Sequence, residues 1–219
     1  MPLSVIAYPQ SPPVTGWAAW YDAADLSTFV QSGGAVSQWN SKIAAGNVAQ
    51  ATSTKQPMIG GTINGLNALR FDGTNDFLLG SAVITVQPYT WFAVAASAST
   101  SAQREIISTY IGSGGNSALY QTSAALMALY TGGPVVSPAG GVVWKPSVPH
   151  VLCTVVNGAS SLYSRDGCPA TSVNPGTEAP GTTSWAIGSE ATGNLFFWLG
   201  TIGEIIVYAS ALSPANRLA

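Results

Sequence analysis

Residues 63–78, INGLNALRFDGTNDFL, constrain this chain more than any other stretch. Asn64-Gly65 is a turn dipeptide, and the alternation from Leu66 to Phe71 has the period of a strand with one buried face. Asp72-Gly73-Thr74-Asn75-Asp76 is a tight polar turn that closes back onto an apolar run at 77–79. Two strands meeting at a corner account for the whole segment, and no catalytic group is needed to explain it.

The same signal recurs along the chain. Strands are predicted at 17–21, 36–39, 66–71, 77–79, 89–97, 105–110, 118–121, 126–130, 141–144, 148–156, 161–165, 184–188 and 201–208. They are short, rich in β-branched and aromatic residues, and divided by Gly, Pro, Asn and Ser. The apolar runs WFAVAA and EIIVYA are expected at the centre of a sheet, and 148–165 reads as a hairpin turning at NGAS. Helical periodicity is confined to a short turn after Asp22 and to 213–219, where Ser213 caps and Pro214 takes the first helical position. Many short strands without intervening helices predict an all-β fold of two packed antiparallel sheets, with a short C-terminal helix start.

The 219 residues suit one such sandwich, with a core large enough to need no staples. Only 7% of residues are charged, against about 25% in ordinary domains. With 47% apolar residues, seven Trp and eight Tyr, the chain nonetheless folds. Residues 1–15 are Pro-rich and read as an extended arm before a domain at 16–219. In that arm Tyr8, Pro9, Pro12 and Pro13 are candidate partner contacts.

Several classes are excluded by composition. The net charge is −2, and the seven Lys and Arg form no cluster, so a phosphate-backbone footprint is missing and nucleic acid is not expected. No run of about 18 apolar residues occurs, so no membrane span is expected. The opening MPLSVIAYPQSPP lacks the charged and long apolar regions of a signal peptide. The expectation is a chain assembled in a cytoplasm, or one whose leader was already removed. Cys153 lies in HVLCTVV, and Cys168 follows Asp166-Gly167. A hairpin turning at 157–160 puts Cys153 near Ser164 instead, so both thiols are expected to be free.

Taken in order, the segments GWAAWYDAADLSTF, GGAVSQW, QPMIGGTINGLNALRFDGTNDFL, YTWFAVAA, PHVLCTVVNGASSLYSRDG and FFWLGTIGEIIVYASALSPANR carry a family resemblance. The succession resembles the concanavalin A-like lectin/glucanase superfamily in its laminin-G-like jelly-roll branch. It covers residues 16–217, and its strongest pieces are NGLNALRFDG and GEIIVYASALSP. The resemblance implies two antiparallel sheets, one often concave. That family spans lectins, adhesion modules, glycosidases and virion proteins, and its domains are common in bacteriophage structural proteins, so fold alone does not fix the task.

Chemistry can be tested residue by residue. Glycosidases of the superfamily carry Glu-x-Asp-x-x-Glu on one strand, because alternation puts those carboxylates on one face. None of Glu105, Glu178, Glu190 and Glu204 has Asp two positions later. Asp22 with Asp25, and Asp72 with Asp76, sit in turn contexts where Asp caps amides. The sole histidine, His150, opens a strand, and no G-x-S-x-G elbow accompanies it; a backbone partner at a strand edge accounts for it. The Gly-rich run at 112–116 reads as a loop and lacks the phosphate-cradling pattern.

Two kinds of contact remain. Asp72, Asn75 and Asp76 offer hard oxygens for calcium, although calcium wants six to eight, and an Asx-turn explains the same residues. No other cofactor is expected. Of the tryptophans, Trp20, Trp39 and Trp91 fall in strand patterns and read as core, while Trp144 and Trp198 read as surface candidates. The run Phe196-Phe197-Trp198 cannot face one side of a strand, so at least one ring turns outward as a ligand or partner contact.

The sequence therefore predicts a non-enzymatic virion structural or adhesion protein, a capsid decoration or a head or tail appendage on the particle. Its expected partners are other virion proteins such as the major capsid protein, or further copies of itself. The alternative is a carbohydrate-binding lectin-type module of a secreted protein that meets a cell-surface glycan. Glycoside hydrolysis is a distant third.

Overall fold

The computed structural model describes residues 12–43, 45–111, 116–136 and 144–217. The first strands are β1 (Trp17–Asp22), β2 (Phe29–Ser32), β3 (Ala35–Trp39), β4 (Val48–Ala49) and β5 (Met58–Ile63). Next come β6 (Leu66–Asp72), β7 (Leu78–Gly80), β8 (Tyr89–Ser97), β9 (Arg104–Ser108), β10 (Ala118–Gln121) and β11 (Met127–Tyr130). The last are β12 (Pro149–Val156), β13 (Ser161–Arg165), β14 (Thr171–Val173), β15 (Trp185–Ile187) and β16 (Leu199–Tyr208), followed by α1 (Pro214–Arg217). Every strand pairing is antiparallel, and all strands belong to one hydrogen-bonded network.

The central position of the two apolar runs follows from their composition. β8 and β16 lie side by side, with β12 beyond β8. The other edge of β16 is shared: β6 pairs with its first half, and β1 with its second. Strands covered on both edges and much of both faces need near-continuous apolar sequence.

The network curls over on itself. β15 and β8 are far apart in strand order, yet Trp91 and Trp185 meet with ring centroids 6.0 Å apart at 70°. Tyr89 of β8 likewise donates its hydroxyl to Ser117 Oγ, just before β10, at 2.7 Å. One core draws on both ends of the path, including Trp39, Leu69, Phe71, Ile205, Leu119 and Leu129.

Several expectations are revised. β5 was not expected, because Gly60 and Gly61 break the alternation of MIGGTI. Gly61 is needed there, since a Cβ would stand 2.3 Å from Thr201 Cγ2 on β16. The short helical turn expected after Asp22 is a 3₁₀ turn at Leu26–Thr28, capped by Asp25. The C-terminal helix is a single turn, and Ser213 Oγ accepts from the Asn216 N–H. The strand expected at 141–144, and Tyr8 and Pro9 of the arm, fall largely outside the described residues. Pro12 is partly buried and Pro13 exposed, and the arm's end is tied down where Tyr208 donates its hydroxyl to the Val14 carbonyl at 2.8 Å. Cys153 pairs in register with Ser164, and both cysteines are free.

Candidate functional site

β9, β10 and β11 form a meander whose one face belongs to the core through Ile106, Ile107, Leu119, Met127 and Leu129. Two consecutive isoleucines face inward because the β9–β10 register shifts between Leu119 and Tyr120. Leu119 opposes Ile107, but Tyr120 opposes Glu105, which leaves Ile106 as the bulged residue. A bulge re-aims the side chains beside it. Here Glu105 joins Tyr120 on the face turned away from the core.

That face carries its own small cluster of Ala118, Tyr120 and Ala128, with Tyr130 packed against it. Of these, Ala118, Tyr120 and Tyr130 line a pocket of about 220 Å³ together with Gln103, Glu105, Tyr110, Val135 and Phe196. The rings of Tyr110 and Tyr130 stand nearly perpendicular, at 79°, with centroids 6.2 Å apart. They form two walls of an aromatic corner. The pocket is smaller than the roughly 300–1,000 Å³ of sites that enclose drug-sized ligands, so it fits one ring of a longer molecule.

Glu105 is the unusual member. It is 2% exposed, and its Oε2 is buried without a hydrogen-bond partner among the described residues. Burial pushes its carboxyl from the ordinary 4.5 up to about 7, and the nearby charge of Glu190 adds to the rise. Hydrogen bonds from Ser108 and Gln103 oppose it. An orphaned buried acceptor is costly and calls for a partner.

The rim is fastened rather than loose. The 188–198 segment is laced to β9: the Gly188 N–H donates to Ile106 O, the Glu105 N–H to Phe196 O, and the Ala191 N–H to Tyr110 O. The Arg104 guanidinium donates to the carbonyls of Gly73 and Phe197 at 2.6 and 2.7 Å. Phe196 itself is held at φ +59°, a left-handed conformation that costs a non-glycine residue free energy. Its neighbour Leu195 is exposed beside it.

The run Phe196-Phe197-Trp198 thus splits three ways. Phe196 lines the pocket, Phe197 packs on Phe77 at 6.1 Å, and Trp198 is fully buried. Trp144 and Trp198, expected at the surface, are corrected to core positions. Their rings meet at 5.7 Å, and Trp144 packs edge-on against His150 at 5.0 Å. Flanking Gly, Pro and Lys residues gave a local signal of exposure, which this tertiary packing overrides. His150 also departs from expectation: its partner is a side chain, with Nδ1 2.7 Å from Asp166 Oδ2, not the backbone.

The 72–76 turn closes on itself. Asp72 Oδ1 accepts from the N–H groups of Thr74, Asn75 and Asp76, and Asp76 Oδ2 accepts from the Asp72 N–H at 2.9 Å. Burial and the charge of Asp72 push the Asp76 carboxyl up to about 6. No group of three or more His, Cys, Asp or Glu able to hold a metal occurs among the described residues. A second groove, about 390 Å³, crosses β5, β6, β16, β8 and β12 and is lined by Thr62, Arg70, Asp72, Thr201 and Ser147. No aromatic corner forms in it.

Sequence reasoning missed Glu105, Tyr110, Tyr120 and Tyr130 as site residues. The available signal was a tyrosine at every tenth position, 110, 120 and 130, along a meander of three strands.

Comparison with known proteins gives fold likeness only. No protein-family profile and no curated protein matches the chain. Among solved structures, Trypanosoma rangeli sialidase in complex with 2,3-difluorosialic acid matches at TM-score 0.65 and 12% identity, over 98% of this chain and 34% of the sialidase. A K499G mutant of NanB sialidase from Streptococcus pneumoniae matches at TM-score 0.54 and 10% identity, over 69% and 27%. The CBM40 of Ruminococcus gnavus IT-sialidase, bound to α2,3-sialyllactose, reaches TM-score 0.49 at 14% identity, over 61% and 81%, too slight a likeness to carry an argument. The chain spans about a third of the length of the sialidases it matches. At these identities the likeness speaks for an all-β fold.

Proposed function

We propose that this chain is a non-catalytic, glycan-binding module of lectin type, built on a jelly-roll sandwich of the concanavalin A-like kind. The observation that carries the reading is the aromatic corner of Tyr110 and Tyr130 set over the buried Glu105, with Phe196 on the rim. Sugar rings stack on aromatic faces through their C–H surfaces and bond through their hydroxyls to carboxyl and amide groups. Glu105 and Gln103 supply those polar groups. The sandwich is supported by the contact of Trp91 with Trp185 across the core.

The non-catalytic part rests on the lining. Glycoside hydrolysis by a carboxylate pair needs two carboxyl groups about 5–10 Å apart across the bond. Glu105 is the one carboxyl group lining the pocket among the described residues, and Glu190 Oε1 is engaged by Thr192 and Asn194. The comparisons bring no support to a virion role. Calcium at the 72–76 turn forms no part of this reading.

The test is a glycan array probed with the wild-type chain and with Tyr130→Ala. Binding of a limited glycan set that disappears in the variant is the expected outcome. An array with no signal at high protein concentration contradicts the proposal.

A further inference from the structure

We infer that the ligand of the aromatic pocket is cationic: a sugar ring carrying a free ammonium group, a hexosamine unit, with Glu105 as its counter-ion. This rests on the glycan reading and narrows it to one class of sugar. Three observations lead to it.

The first is the orphaned oxygen. Glu105 Oε2 lies buried beside the pocket with no hydrogen-bond partner among the described residues. A desolvated carboxyl group is stabilised most by an opposite charge brought to it. The second is the arrangement of rings. Tyr110 and Tyr130 stand at 79° to one another, and Tyr120 and Phe196 complete the lining. Aromatic faces carry the negative end of the ring quadrupole, so such a box attracts an ammonium group.

The third is the charge around the pocket. No Lys or Arg lines it among the described residues. Arg104, next to Glu105 in sequence, is committed to the carbonyls of Gly73 and Phe197. From the 188–198 segment Glu190 adds a second negative charge; from β10 and β11 come only the hydroxyls of Tyr120 and Tyr130. Gln103, which bonds the Glu105 carboxyl, is the other polar side chain of the lining besides the tyrosines. A neutral sugar satisfies Oε2 through a hydroxyl but brings no positive charge to the two acidic groups, Glu105 and Glu190. An ammonium group answers the orphaned oxygen, the rings and the net charge together.

The experiment is calorimetric titration of the full chain with three matched tetrasaccharides: β-1,4-linked glucosamine, its N-acetylated counterpart and cellotetraose. The glucosamine oligomer is expected to bind about tenfold or more tighter than either neutral one. Glu105→Gln, close to isosteric with the protonated acid, is expected to remove that preference. Tyr110→Ala, at the partly exposed rim, gives a second variant should Glu105→Gln not fold. Equal or tighter binding of a neutral oligomer refutes the charge inference and leaves the glycan reading standing. No binding of any of the three, with an empty array, overturns both.

Discussion

The Glu105 N–H donates to the Phe196 carbonyl at 2.8 Å, and this bond joins the carboxyl group of the pocket to its aromatic rim. Glu105 sits on a bulged strand, and Phe196 sits in a left-handed turn. Each holds a locally unfavourable geometry that the other supports, which is how a rigid scaffold fixes a recognition loop.

Phe196 can be separated into ring and backbone. Phe196→Gly removes the ring from the pocket and also relieves the cost of φ +59°, on the order of 1 kcal/mol. The expected result is weaker glycan binding with thermal stability unchanged or slightly raised. A fall of several degrees in Tm would show that the ring is structural.

The pH dependence of stability has a definite sign. Folded Glu105 holds its proton up to about pH 7, whereas the unfolded side chain releases it near 4.5. Between these values the native state binds more protons, so stability falls as pH rises through that window, by on the order of 3 kcal/mol from this group. Asp76, pushed up to about 6, acts in the same direction. Denaturant titrations from pH 4.5 to 7.5 should show the decline, and Glu105→Gln should flatten most of it. A rise in stability over the window would contradict the burial of both groups.

Gly188 allows a test of how the rim is held. It adopts φ +88°, and a Cβ there would stand 2.3 Å from Phe71 Cε1 in the core. Its N–H and carbonyl bond Ile106 and Trp198. Gly188→Ala should cost about 1–3 kcal/mol from overpacking and weaken binding by shifting the rim. Retention of wild-type Tm and affinity would remove this anchor from the account.

The 72–76 turn is expected to behave as a self-contained Asx corner. Asp72→Ala removes the acceptor of three amide N–H groups and should cost about 1–2 kcal/mol. Millimolar calcium should leave Tm unchanged, since both carboxylates already accept amide hydrogens. A calcium-dependent rise in Tm lost in Asp72→Ala would assign the metal to this turn.

Much of the fold was legible because the alternation is local. The central strands announced themselves through WFAVAA and EIIVYA, and the 157–160 turn fixed the partner of Cys153. β5 was hidden because its glycine pair breaks the alternation, and Gly61 serves a close approach to β16 that only the folded sheet reveals. The site was less legible. Phe196 was marked by its place in an aromatic triplet, but Glu105 reaches the pocket through a bulge, a feature of strand register that no spacing in β9 announces. Trp144 and Trp198 failed as surface candidates because they pack on each other from distant parts of the chain, and Trp144 packs on His150 as well.

The most direct measurement is an NMR titration of the wild-type chain with the glycan that scores highest on the array, following aromatic ring protons. The account predicts saturable shifts at Tyr110, Tyr120, Tyr130 and Phe196, with Trp91 and Trp185 in the core unmoved. Shifts centred instead on the groove of Arg70 and Thr201, or none at all, would contradict it.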